Sequence, residues 1–219
     1  MTQAVIFDLD GTLVDSCGVC VEILRDMISE RGIDHAIDPV FARQYMSHGG
    51  ASMVANLLGP AAKDGTADLA EFRERYTRTK TRVDALYPGV SDGLRVLSES
   101  GFRLAICSNK PQLLCDQVLR DTDIERYFEV VVGGQEGLRP KPETDLLDHT
   151  LDLLAMDAKH CIFIGDSDLD HAIATACGLS FHFMTYGYAD PEWEPQGCHV
   201  HHQFDKMIET LKQSNVHAL

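Results

Sequence analysis

The sequence predicts an α/β fold: a parallel sheet core with helices on both faces, interrupted by a helical insertion. Three observations carry this. Five short apolar segments, most of them β-branched, recur along the chain. Apolar residues at helical spacing fill the stretches between them, and strand alternating with helix implies parallel strands joined by crossovers. One interval, about 17–86, keeps helical spacing and offers no strand.

The elements follow in order. Ala4–Phe7 is a short apolar run, suited to a strand covered on both faces. In the insertion, Val19, Ile23, Met27 and Ile28 recur at helical spacing, as do Met53, Val54, Leu57 and Leu58, then Leu69, Phe72 and Tyr76. Tyr87-Pro88-Gly89 punctuates the return to the core. From there the pattern alternates: helix Ser91–Ser100, strand Arg103–Cys107, helix Pro111–Arg120, strand Glu129–Val132, helix Glu143–Ala155. Strand Cys161–Ile164, helix Leu169–Cys177 and strand Ser180–Met184 complete it, with a closing helix at Met207–Lys212. An insertion that emerges just after a strand end is placed to cover a site there as a lid. The expected division is a core of 1–16 and 87–219 and a helical insertion of 17–86.

Composition narrows the function. The chain has 219 residues, 44% hydrophobic and 24% charged, as in soluble globular proteins. A formal net charge of -15 argues against nucleic acid and against an anionic membrane surface as partners. No leader-like or membrane-spanning segment is evident, and seven cysteines, an odd count, read as reduced thiols, so the expected location is cytoplasmic.

Four clusters carry chemistry. Asp8 and Asp10, two residues apart at the end of the first strand, project to one side and are tolerable around a divalent cation or with one proton shared. An Asp-Gly turn is the plainer reading. Ser108-Asn109-Lys110 follows the second strand and can hold a phosphate oxygen or cap a helix. Lys141 lies between Pro140 and Pro142, which stiffen its backbone and aim its ammonium; an exposed turn lysine is equally consistent. Gly165-Asp166-Ser167-Asp168-Leu169-Asp170 places three carboxylates in five residues, more than a helix cap needs. All four can meet at one sheet edge, giving carboxylates for a hard cation and a hydroxyl and an ammonium for phosphate oxygens.

In this order and spacing the clusters resemble the haloacid dehalogenase-like hydrolase superfamily over nearly the whole chain. Asp8-Leu9-Asp10-Gly11-Thr12-Leu13-Val14-Asp15-Ser16 is similar to its first motif, Ser108-Asn109-Lys110 to its second, Lys141 to its third and Gly165 through Asp170 to its fourth. Tyr87-Pro88-Gly89-Val90, Arg139-Pro140-Lys141-Pro142 and Thr185-Tyr186-Gly187-Tyr188 resemble the phosphoglycolate phosphatases within it. The resemblance implies a Rossmann-like core, an inserted helical cap, and a magnesium-dependent phosphatase acting on a small phosphate monoester through a phospho-aspartyl intermediate. It implies Asp8 as nucleophile and Asp10 as general acid and base. Mg2+ would be bound by Asp8, the backbone carbonyl of Asp10 and Asp166, with Asp170 supporting the metal shell, and phosphate by Ser108, Asn109 and Lys141. Thr12 would orient Asp10 or its turn. The cap loop at His48, Gly49 and Gly50 would select the substrate, although His48 stands where a small residue is expected. A phosphomutase of the β-phosphoglucomutase type and a non-catalytic binding protein on the same fold are the alternatives. The expected assembly is a monomer or small homo-oligomer.

Three features lie outside that pattern. Cys17-Gly18-Val19-Cys20 has redox spacing in the wrong context. Cys198, His199, His201 and His202 read as a short edge strand in preference to a zinc cluster, since no second half-site is visible. Trp193 reads as a packed loop anchor.

Overall fold

The computed structural model describes residues 3–47 and 49–216. Its sheet has six parallel strands in the order β3-β2-β1-β4-β5-β6: β1 Ala4–Phe7, β2 Arg103–Pro111, β3 Val130–Gly134, β4 Cys161–Gly165, β5 Ser180–Met184 and β6 His199–His201. Alternation along the strands feeds two cores. Val5, Phe7, Leu104 and Ile106 face one side, and Ala4, Ile6, Ala105, Cys107 and Phe163 the other. Both sides are dry, which is why these strands are apolar without interruption.

Helices α1 Cys17–Glu30, α2 Pro39–Arg43, α3 Gly50–Leu58 and α4 Gly65–Arg78 occupy the insertion. Helices α5 Val90–Glu99, α6 Gln112–Asp121, α7 Asp145–Leu154, α8 Asp168–Cys177 and α9 Phe204–Val216 flank the sheet. The helix expected from Pro111 starts one residue later. β2 runs on to Pro111, which pairs with Gly134 past a register shift, so Ser108, Asn109 and Lys110 lie on strand backbone.

The two chain passages between this helical segment and the sheet run side by side. Val14 and Leu86 form an antiparallel bridge, Asp15 N donates to Ala85 O at 2.8 Å, and Tyr87 N donates to Leu13 O at 3.0 Å. Within the insertion, Arg31 ties α1 to α4 by ion pairs to Asp68 at 2.8 Å and Glu71 at 2.6 Å. Among the described residues no helix is long and apolar enough to cross a membrane.

The sheet order places β1 between β2 and β4, where connections leave in opposite directions. Open α/β sheets bind ligands beyond the carboxyl ends of strands at such a switch point. Asp8, Ser108 and Asp166 all stand there.

Candidate active site

Asp8 directly follows β1 and is anchored by its own N–H donating to Ile164 O at 2.9 Å. Asp166 follows β4, and Ser167 caps α8. Both readings of the fourth cluster hold. Ser167 and Asp170 form a capping box, and Asp170 also faces the site. Carboxylate oxygens of Asp8, Asp166 and Asp170 stand within 4.8 Å of one another. Asp166 and Asp170 are 1% and 0% exposed, and Asp8 9%.

One ammonium offsets this charge. Lys141, 5% exposed and thus no surface turn residue, reaches Asp170 Oδ1 at 2.6 Å, Asp8 Oδ1 at 3.0 Å and the Cys107 carbonyl at 3.0 Å. The Asp8 contact is an ion pair without hydrogen-bond alignment, and Asp8 Oδ1 has no hydrogen-bond partner among the described residues. Three buried carboxylates against one lysine leave uncompensated negative charge. Burial pushes Asp8 up to about 6, with Lys141 pulling down and Asp170 and Asp10 pushing up. Burial, then Asp170 and Asp8, hold Asp166 well above the ordinary carboxylate range. Desolvation alone would lower Lys141, but Asp170 and Asp8 outweigh it and raise it.

Asp166 is oriented from both sides. Thr12 Oγ1 donates to its Oδ1 at 2.7 Å and Tyr188 N to its Oδ2 at 2.7 Å. Thr12 therefore serves Asp166 and not Asp10, because the turn after Asp10 swings the hydroxyl toward β4. Gly11, at φ +85°, and Gly187 press against Asp166, and a Cβ at either would run into its carboxylate. Asp170 Oδ2 accepts from Ser167 Oγ at 2.6 Å.

Asp10 lies apart from the acidic trio by its side chain. Lys110 Nζ stands 3.2 Å from both Asp10 oxygens and 4.3 Å from the Tyr76 ring centre, so a helix of the insertion touches the lysine that grips Asp10. Asn109 spends its amide on the Lys141 backbone: Lys141 N donates to Oδ1 at 2.7 Å, and Nδ2 donates to Lys141 O at 3.1 Å. Its side chain thus positions the lysine. Ser108 is 2% exposed and lines the cavity beside Asp8.

That cavity measures about 120 Å3. Asp8, Asp10, Ser108, Lys110, Lys141 and Asp166 form its core side. Met53, Leu69, Phe72, Arg73, Gly49 and Gly50 form the insertion side. His48 lies outside the described residues. Sequence reasoning gave no role to Lys110, Arg73 or Tyr188, since their places depend on how the insertion folds over the core. Tyr188 had appeared only within a resemblance. The thiols of Cys17 and Cys20 are buried and pushed up to about 11 and about 12, which leaves no nucleophilic thiolate for redox chemistry. Trp193 packs edge-on against Phe183, ring centres 5.1 Å apart.

A buried carboxylate beside a lysine and two further acids stands at the switch point of an α/β sheet, an arrangement able to hold a cation and an anionic group. The chain belongs to the haloacid dehalogenase-like hydrolases, whose family model matches residues 5–184. It is 35% identical over 192 residues to a plasmid-encoded phosphoglycolate phosphatase of Cupriavidus necator, covering 86% of this chain and 83% of that one. It is 33% identical over 193 residues to a phosphoglycolate phosphatase of Rhodobacter capsulatus, covering 86% of each. The crystal structure of a predicted phosphoglycolate phosphatase from Haemophilus somnus superposes with a TM-score of 0.82 at 22% identity, over 96% of this chain and 98% of that one, a likeness of fold.

Proposed function

We propose that the protein is a Mg2+-dependent phosphatase of small phosphate monoesters, working through a phospho-aspartyl intermediate on Asp8, with phosphoglycolate or a similar anionic metabolite as substrate. In this reading residues 17–86 are a cap over a core of 1–16 and 87–219. The observation that carries it is the buried acidic trio beside Lys141, with Asp8, Asp166 and Lys141 lining a cavity that residues of the insertion close from the other side.

The donor set fits a hard divalent cation. Its ligands are all oxygen, its negative charge exceeds what Lys141 offsets, and Asp8 Oδ1 lacks a hydrogen-bond partner among the described residues. Asp8, Asp166 and the backbone carbonyl of Asp10 would hold Mg2+, with Asp170 behind them fixing Lys141. When bound, the cation neutralises charge on the phosphoryl oxygens.

The residues divide the work. A carboxylate oxygen of Asp8 attacks phosphorus, forming an O–P bond as the ester O–P bond breaks. Asp10 gives a proton to the departing alkoxide. Water then attacks the acyl phosphate, Asp10 takes the proton, phosphate leaves and Asp8 is restored. The chemistry is thus split into two displacements. Lys141 and Ser108 face the equatorial oxygens, where charge spreads in the transition state. Lys110 holds Asp10 at the cavity wall.

The cap side supports a second anionic group on the substrate. Arg73 lines the cavity, and no ion pair of it is found among the described residues. Helix α3 begins at Gly50 without a side-chain cap, and Gly49 and Gly50 line the same space. A carboxylate two carbons from the phosphate suits both. A phosphate-release screen over two- to six-carbon phosphorylated metabolites, with and without Mg2+, tests the reading. Mg2+-dependent release, fastest with an acidic substrate such as phosphoglycolate, is expected. A wild-type protein inert across the panel would sink it.

A further inference from the structure

Among the described residues, four buried side-chain polar atoms have no hydrogen-bond partner, and three of them belong to residues that line the cavity. One is Asp8 Oδ1, for which the proposed cation accounts. The other two are the hydroxyls of Ser16 and Tyr76, each on a residue 1% exposed. A buried hydroxyl left unpaired loses its hydration and gains nothing in return, so two around one cavity call for an occupant.

Neither hydroxyl is spent locally. Ser16 holds the N-cap position of α1, where serine ordinarily bonds the helix backbone, yet its side chain makes no cap bond. The Tyr76 ring is fixed in place. Phe72 packs edge-on against it, ring centres 6.0 Å apart, and the Lys110 ammonium lies 4.3 Å from its centre. That ammonium stands 3.2 Å from both Asp10 oxygens, so Tyr76 sits beside the Asp10–Lys110 pair. Arg73, one turn earlier on α4, lines the same cavity.

On the reading of Asp10 as the acid at the leaving oxygen, we infer that Ser16 and Tyr76 form a leaving-group subsite, their hydroxyls binding an acceptor oxygen on the second carbon from the ester oxygen, as a carboxylate or a hydroxyl there supplies. The transferring phosphoryl has its own partners in Ser108 and Lys141, so the two hydroxyls fall to the rest of the substrate. Burial pushes the Tyr76 phenol up to about 12 against the pull of Lys110, and it stays an O–H donor at neutral pH. Two neutral donors beside an ammonium suit an oxygen and offer a hydrocarbon nothing. A substrate without that oxygen leaves both hydroxyls unpaired, which is how a polar site rejects an analogue. Arg73 adds charge for a carboxylate in particular.

The test compares kcat/KM for phosphoglycolate, 2-hydroxyethyl phosphate and ethyl phosphate, with Mg2+, in wild type, Tyr76→Phe and Ser16→Ala. Wild type should favour phosphoglycolate over ethyl phosphate, and each variant should lose about tenfold or more of that preference, the scale of one hydrogen bond to a charged group. A merely structural role would slow all three esters alike. An advantage confined to phosphoglycolate identifies the bound oxygen as a carboxylate, and one shared by 2-hydroxyethyl phosphate extends it to a hydroxyl. Tyr76→Phe keeps the ring and removes only an unpaired group, so the free protein should melt at or above the wild-type midpoint. Equal rates of wild type on all three esters, the wild-type preference kept in both variants, or a midpoint several degrees lower in Tyr76→Phe overturns the subsite and leaves the phosphatase reading standing. Preference kept in one variant removes that residue from it. A wild type inert on all three esters sinks both.

Discussion

At the scale of single residues, Lys141 is buried and held by two carboxylates and a backbone carbonyl. Its ammonium serves Asp8 and Asp170, both buried. Lys141→Ala strands two carboxylates, and breaking a buried pair in this way costs about 3–5 kcal/mol. The expected outcome is a large fall in thermal midpoint without Mg2+, partly restored by Mg2+, and phosphate release down by about 10^3-fold or more. Calorimetry and steady-state assays check the two parts. Lys110 has a different task, since its ammonium pairs with Asp10 and lies over the Tyr76 ring. Lys110→Met should lower kcat by about 10^2-fold, the range of one misplaced acid–base group, while leaving Mg2+ binding as in wild type. A variant with wild-type kcat would remove Lys110 from the account. These roles were unevenly legible in the sequence. Asp8 and Asp166 follow strand ends, where periodicity can find them, and Lys141 stands out by its flanking prolines. Lys110 and Asn109 differ by what they touch across the fold, Asp10 in one case and the Lys141 backbone in the other, which spacing along the chain does not encode.

At the scale of elements, the turn bearing Gly11 and the loop bearing Gly187 close on Asp166 like two sides of a clasp. Gly187→Ala puts a methyl where the Asp166 carboxylate stands. The expected result is weaker Mg2+ binding and at least a tenfold loss of kcat, the scale of losses when a ligand's support is disturbed. Mg2+ titrations of activity read it. The insertion is latched to this loop. Arg43 on α2 bonds Asp15 at 2.7 Å and Tyr186 O at 3.2 Å, and lies 4.9 Å from the Tyr188 ring centre. Arg43→Ala should raise KM more than it lowers kcat, because the latch sets closure and touches no reacting atom. Equal effects on both would place Arg43 in the chemistry. Strand existence was readable to within a residue or two, because doubly buried strands are short apolar runs. The extension of β2 to Pro111 was not, since Ser108, Asn109 and Lys110 are polar and read as a loop. They remain extended because Pro111 pairs with Gly134 beyond them and the Asn109 amide bonds the Lys141 backbone.

At the scale of the whole molecule, a protein of net charge -15 concentrates further negative charge in its interior. Asp8 moves from 3.8 to about 6 on folding, and Asp166 moves the same way. A raised carboxylate stabilises the fold fully below its unfolded value, and that contribution is lost as pH rises through the folded value. The metal-free protein should therefore lose on the order of 1–3 kcal/mol between about pH 4 and pH 7 from this source. Mg2+ bound as proposed would compete with those protons, so it should raise the melting temperature more at about pH 7.5 than at about pH 5. A Mg2+ shift that is equal at both, or larger in acid, would mean that the cation binds elsewhere. The central claim is chemical, that phosphorus is transferred to Asp8. Acid-quenched mixtures of enzyme, Mg2+ and a radiolabelled phosphate ester test it most directly. The account predicts a hydroxylamine-labile phosphoryl group on the peptide carrying Asp8, absent from Asp8→Asn. Label on another residue, or turnover retained in Asp8→Asn, would contradict it.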